Sequence, residues 1–138
     1  MKTKNYTIPI RTSSQAARLL LDHLDDLDHE QLWALYLDGQ HRLINGQMLT
    51  KGTLTFTPID ARTILKRALI CDARAVILGH NHPSGNPRPS ASDIKHTGFI
   101  RKACDVFDIE LVDHIIIADD AYFSFADEVI TKFKSLNQ

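Results

Sequence analysis

The chain has 138 residues, 43% of them hydrophobic and 24% charged, and its net charge is −1. That length makes one ordinary domain, expected to span residues 1–138 and able to bury a core without disulfides. The balanced charge lacks the overall signature of a nucleic-acid binder, and no run of about 18 apolar residues marks a membrane-spanning helix.

The N-terminal Met1-Lys2-Thr3-Lys4-Asn5-Tyr6 lacks the apolar core of a signal peptide. Thr12-Ser13-Ser14 offers helix N-caps, and Ala16, Ala17, Leu19, Leu20, Leu21 and Leu24 follow at helical spacing. This first helix should end near Asp25-Asp26, with His23 and His29 as solvated neighbours. The apolar, aromatic run from Glu30 to Leu37 reads as a strand. Asp38-Gly39 is a hairpin turn signal, and Arg42–Ile44 with Gln47–Thr50 form the return strand, kinked or bulged at Gly46.

Thr57-Pro58-Ile59-Asp60 begins a second helix, with Asp60 as its expected cap and Ile64, Leu65, Ala68 and Leu69 as its apolar face. Its basic side, Arg62, Lys66, Arg67 and Arg74, is the solvated face such a helix usually shows. Ala75–Gly79 reads as a buried strand. A third helix is expected from Asp93 to Phe107, packing through Ile94, Thr97, Phe99, Ile100, Ala103 and Val106. The β-branched run Ile109–Ala118 is a strand, Asp119-Asp120 a turn and Tyr122–Phe125 a short edge strand able to pair between chains. The tail from Ala126 is expected to be helical or frayed. The order α-β-β-α-β-α-β-β implies an α/β domain, a mixed sheet flanked by helices, with a parallel crossover between the strands at Ala75 and Leu111. Cys71 and Cys104 form no CxxC pair and read as buried free thiols in a reducing cytoplasm.

The chemistry concentrates in His80-Asn81-His82-Pro83-Ser84-Gly85-Asn86-Pro87-Arg88-Pro89-Ser90-Ala91-Ser92-Asp93. Side chains two apart on a strand share a face, about 6.6 Å apart along the chain, so His80 and His82 can converge on one ion. Asp93 returns eleven positions after His82 across a loop that Pro83, Pro87 and Pro89 stiffen. Two histidines and one carboxylate leave a fourth position for water, which is the arrangement of catalytic rather than structural zinc. The same Ser90-Ala91-Ser92-Asp93 is also a plain helix capping box. A bare HxH is a weak signal, whereas HxH, seven residues, Ser, two residues, Asp is far more specific.

That complete pattern resembles the JAMM signature of the MPN metalloprotease superfamily. Its context narrows the likeness. Gly79–Gly85, Gly52-Thr53-Leu54, Arg62 with Ala68-Leu69, Asp113-His114-Ile115-Ile116 and Ser124-Phe125 are similar to the RadC family, from about Thr12 to Ile130. The resemblance implies a cytidine-deaminase-like three-layer α/β/α fold and a catalytic Zn2+ held by His80, His82 and Asp93. It implies Glu30, at the start of a strand ahead of the HxH, as general acid/base, and Ser90 as donor to the developing oxyanion. Where RadC proteins commonly carry His or Tyr, Pro, Arg-Glu at the start of the second helix, this chain has Asp60-Ala61-Arg62-Thr63, a departure that touches no ligand. The N-terminal helix–hairpin–helix module of many members is not expected within these 138 residues. Asp113 and His114 face opposite sides of their strand, and one of them is expected to support the site without binding the ion.

Three functions compete. The first is a zinc metallopeptidase acting on a peptide or isopeptide bond. The second is a DNA-repair protein that binds or cuts DNA, poorly supported by the scattered Arg62, Lys66, Arg67, Arg88, Lys95, Arg101 and Lys102. The third is a non-catalytic MPN-type interaction module, against which the intact ligand set argues. Nucleoside deamination needs an H-x-E with a paired-cysteine motif that this chain lacks.

Overall fold

A computed structural model describes residues 8–52 and 58–133, with backbone alone for 58–60. Alternating side chains give the central strands two apolar faces, and helices cover both. The elements run α1 (Ser13–His23), β1 (Gln31–Leu37), β2 (Leu43–Lys51), α2 (Pro58–Ile70), β3 (Ala75–Asn81), α3 (Ala91–Val106), β4 (Glu110–Ala118), β5 (Ala121–Ser124) and β6 (Val129–Lys132). The strands form one mixed six-stranded sheet in the order β2-β1-β3-β4-β5-β6. Among the described strands only β3 and β4 pair in parallel, as the intervening α3 requires.

On one face Leu32, Ala34, Tyr36, Val76 and Leu78 meet Ile64 and Ala68 of α2 and Ile100 and Cys104 of α3. On the other, Leu35, Leu37, Ile77, Ile115 and Ile117 meet Ala16, Ala17, Leu19 and Leu20 of α1. This is a three-layer α/β/α domain. Burial pushes the Cys104 thiol up to about 11, consistent with an inert packing residue. Among the described residues no helix is long and apolar enough to cross a membrane.

The capping signal at Thr12 is fully formed, with Gln15 as its reciprocal partner. Several other expectations need correction. Gly46 pairs regularly with Leu35, and the irregularities of β2 lie at Ile44 and Leu49. A Cβ on Gly46 would come within 2.8 Å of the His23 ring, so close packing, not a bulge, explains that glycine. His23 is accordingly half-buried and edge-on to Trp33, not solvated. The α2 helix begins at Pro58, so Asp60 lies inside it and is not its cap. Leu69, Ile94, Phe99 and Val106 are exposed, and the buried stripe of α3 is Asp93, Thr97, Ile100 and Cys104. The segment after Ala126 forms β6 and covers β5, so among the described residues the sheet ends in β2 and β6, not in Tyr122–Phe125. Thr53 and Thr57 lie outside the described residues.

One bulge decides what the site contains. Val76 pairs with Leu111 but Ile77 pairs with Asp113, so Val112 is an extra residue on β4. The insertion inverts the alternation. Leu111 packs toward α2 and α3, whereas Ile115 and Ile117 pack toward α1. His114 therefore shares a face with its partner Leu78, and with His80 two residues on.

The α1 layer sits directly on β3. A Cβ at Gly79 would fall 2.3 Å from Leu20 Cδ2. Gly79→Ala should thus cost about 1–3 kcal/mol by overpacking, and Leu20→Ala about 2–5 kcal/mol by opening a cavity. In urea unfolding, the double variant should be more stable than the sum of the two losses, by about 1 kcal/mol or more.

Candidate metal centre

His80 occupies the penultimate position of β3 and is fully buried, and His82 follows just beyond the strand, half-buried. Their Nε2 atoms lie 2.9 Å apart. Asp93, in the first turn of α3, brings Oδ1 to 3.7 Å from His80 Nε2 and Oδ2 to 3.4 Å from His82 Nε2. Among the described residues these three form the one group of side chains able to share a metal ion, with ligand atoms all within 4.8 Å. The capping box is formed as well. Asp93 N–H donates to Ser90 Oγ and Ser90 N–H donates to Asp93 Oδ2, each at 2.9 Å. The cap thus holds the carboxylate at the mouth of the two imidazoles.

Hydrogen positions follow from what each partner can accept. His82 Nδ1 faces the Asn86 carbonyl at 2.8 Å, so it carries the proton and its neutral ring turns a lone pair inward at Nε2. The proline-rich loop does more than stiffen the return to Asp93, because its Asn86 carbonyl sets this tautomer. His80 Nδ1 lies 2.7 Å from His114 Nε2, and His114 Nδ1 lies 2.7 Å from Thr97 Oγ1. Phe125 stacks on His114 at 4.8 Å. Because a hydroxyl can donate or accept, this chain can run both ways. Run from Thr97, it leaves the proton on His80 Nε2, pointing at His82. Run towards Thr97, it leaves a second inward lone pair on His80, as a metal ligand needs.

The residues fit a zinc ion. Tetrahedral bonds of about 2.0–2.1 Å place ligand atoms about 3.3 Å apart. The two nitrogens are 2.9 Å apart, and the carboxylate reaches them through different oxygens, Oδ2 at 3.4 Å from His82 and Oδ1 at 3.7 Å from His80, all within about half an ångström of that edge. The donor set of two nitrogens and one carboxylate oxygen suits zinc as well. Burial raises the Asp93 carboxyl, but its hydrogen bonds to His80, His82 and the Ser90 N–H outweigh burial and hold it well below the usual carboxylate range. Burial lowers His80, whereas the Asp93 carboxylate raises His82.

Thr97 lies one helical turn after Asp93, so α3 supplies both a prospective ligand and the end of the histidine chain. Thr97→Val would remove the hydroxyl that buried His114 Nδ1–H donates to in the metal-binding tautomer. Zinc affinity should fall about 10–100-fold, with Thr97→Ser close to wild type, as read by competition with a chromophoric chelator.

Glu30 immediately precedes β1. It lines one open cleft of about 360 Å³ with His82, Pro83, Ser84, Ser90, Ser92 and Asp93. The structure thus brings all the sequence-predicted residues to one place, with His80 buried behind His82. A larger cavity of about 1020 Å³ lies between the start of α1 and the β1–β2 turn, and it contains none of these side chains. Asp113 faces away from the site. It accepts from His114 N–H at 2.7 Å, Ser124 Oγ–H at 2.7 Å and Ala126 N–H at 3.0 Å, and burial raises its pKa. His114 is therefore the supporting member of that pair. The sequence reading named Thr97 only as a packing position and gave Asn86 no role, although the i+4 step from Asp93 to Thr97 was a usable signal.

Comparison with known proteins places these features in a family. A profile for the RadC-like JAB domain matches residues 10–130. A UPF0758 protein of Pasteurella multocida (strain Pm70) is 46% identical over 104 residues, 75% of this chain and 46% of that protein. A UPF0758 protein of Porphyromonas gingivalis (strain ATCC BAA-308 / W83) is 43% identical over 120 residues, 86% of this chain and 53% of that one. One from Haemophilus influenzae (strain 86-028NP) is 38% identical over 133 residues, 94% and 59% of the two chains. The chain spans about half the length of the curated relatives it matches, and their names state no activity.

Proposed function

The chain belongs to the RadC-like JAB domain family, and from that premise and the geometry of the cleft we propose that it is a zinc metallohydrolase that cleaves a peptide or isopeptide bond. The observation that carries the reading is the convergence of His80, His82 and Asp93 within 4.8 Å, beside a glutamate in the same cleft. In this reading those three side chains hold the metal. When bound, zinc would supply Lewis acidity to the scissile carbonyl and lower the pKa of water.

The remaining work falls to two residues. Glu30 takes the proton of the attacking water and later gives it to the leaving amine. Ser90 Oγ accepts the Asp93 N–H, which leaves its own hydroxyl proton to donate to the developing oxyanion. The exposed position of Ser90 on the cleft wall suits that role. Among the described residues the cleft lining carries no Lys or Arg, so DNA recognition gains no support from them.

The test is metal analysis of the purified chain with cleavage assays on peptide and isopeptide-linked substrates, before and after chelation. One zinc per chain is expected, with cleavage lost on chelation and restored by zinc. A zinc-loaded chain inert to every such substrate would count against a peptidase.

A further inference from the structure

Asn81, between the two histidines, faces the opposite side of β3 from them. It is 2% exposed. Its Nδ2 donates to the Leu27 carbonyl at 3.2 Å and the His29 carbonyl at 3.0 Å, and its Oδ1 accepts from Gln31 N–H at 2.8 Å. The antiparallel register pairs Leu32 with His80, so Asn81 stands opposite Gln31, where the β1–β3 ladder has ended. Its side chain takes over where the ladder stops. Residues on both sides of Glu30 are thus tied to one amide.

The rest of the segment is fixed as well. The Glu30 carbonyl accepts from Gly52 N–H at 2.8 Å. The fully buried Gln31 donates to Asp25 Oδ1 at 2.8 Å and to the Asp26 carbonyl at 3.2 Å, and it accepts from Trp33 Nε1–H at 2.9 Å. An amide suits this position. A serine lacks the second donor, and an aspartate would set oxygen against two carbonyl oxygens.

We propose that Asn81 is the positioning residue for Glu30, coupling the backbone that carries the general base to the strand that carries His80 and His82. The inference rests on the reading of Glu30 given above. Asn81 touches no reacting atom. It acts by fixing the distance between base and metal, where an error of about 1 Å can cost about 100-fold in rate.

The test is a double-mutant cycle of Asn81→Ala and Glu30→Gln in the metal-loaded chain. The readouts are metal affinity, the visible spectrum of the Co2+-substituted protein, and turnover of a peptide or isopeptide substrate that the wild type cleaves. Asn81→Ala should leave metal affinity within about threefold of wild type, reproduce the spectral change of Glu30→Gln, and lower kcat about 10–100-fold. In the Glu30→Gln background it should change nothing further. Asn81→Asp, which keeps the acceptor and the volume, should act in the same direction and serves if Asn81→Ala fails to fold. Fully additive losses, or a metal affinity that falls as for a lost ligand, would overturn the proposal while leaving Glu30 as the base. A Glu30→Gln protein with unchanged spectrum and turnover would remove the reading of Glu30, and this inference with it.

Discussion

Glu30→Gln should lower turnover steeply and keep the metal. The substitution preserves volume and removes only the ability to take and return a proton. General acid–base catalysis contributes about 10²–10⁴-fold, so kcat should fall by that range. Zinc content should stay at wild-type level, because Glu30 is outside the His80, His82 and Asp93 group. The variant's fold should also hold, since Glu30 is half-buried on an open cleft and the hydrogen bonds around it belong to its neighbours and backbone. Unchanged kcat would remove Glu30 from the chemistry. A parallel loss of zinc would make it a ligand instead.

The second large effect concerns metal-dependent stability. A ligand present at about 1,000 times its Kd stabilises the folded state by about 4 kcal/mol. Zinc titrated into the chelated protein should raise its unfolding free energy accordingly, and His82→Ala and Asp93→Ala should lose most of the gain. The two variants should differ without metal. His82 is half-buried and its ring bonds only a loop carbonyl and the site, so its loss should cost the metal-free protein little. Asp93 also closes the capping box with Ser90, so its loss should cost a further 0.5–2 kcal/mol or so at the α3 N-terminus. Equal stability of the two metal-free variants would mean that the cap contributes nothing.

Much of this was legible in the sequence, for identifiable reasons. Strands β1 to β5 were, because apolar and β-branched runs such as Ile115-Ile116-Ile117 carry a strong signal, and a helix cap within Thr12-Ser13-Ser14 was, because these residues directly precede an apolar helical pattern. The face of α3 was legible only in part. The expected packing positions include the buried Thr97 and Ile100, but a hydrophobic pattern also picks the exposed Ile94, Phe99 and Val106 and passes over the buried Asp93. The tail strand β6 was missed because Val129–Lys132 has little burial of its own and forms by pairing with β5.

The site divides in the same way. His80, His82 and Asp93 declare themselves by spacing, but Glu30 was visible only through the family resemblance. Fifty residues separate it from His80, and only the antiparallel pairing of β1 with β3 brings it near. Alternation put Asp113 and His114 on opposite faces, yet the bulge at Val112 chose which of them meets His80. Nothing in the residue types announces that bulge. Neutral hydrogen-bonding partners such as Asn86 and Asn81 leave neither charge nor periodicity to read, so their roles emerge only when the partners are seen.

The central claim is that His80, His82 and Asp93 hold one zinc ion whose remaining position opens onto Glu30. A crystal structure of the zinc-loaded chain, with anomalous scattering measured on both sides of the zinc edge, tests it most directly. One anomalous peak is expected about 2.0–2.2 Å from His80 Nε2, His82 Nε2 and an Asp93 oxygen, with a non-protein ligand on the cleft side and His114 bound to His80 rather than to the ion. A peak elsewhere, no peak at saturating zinc, or a fourth protein ligand closing the site would contradict it.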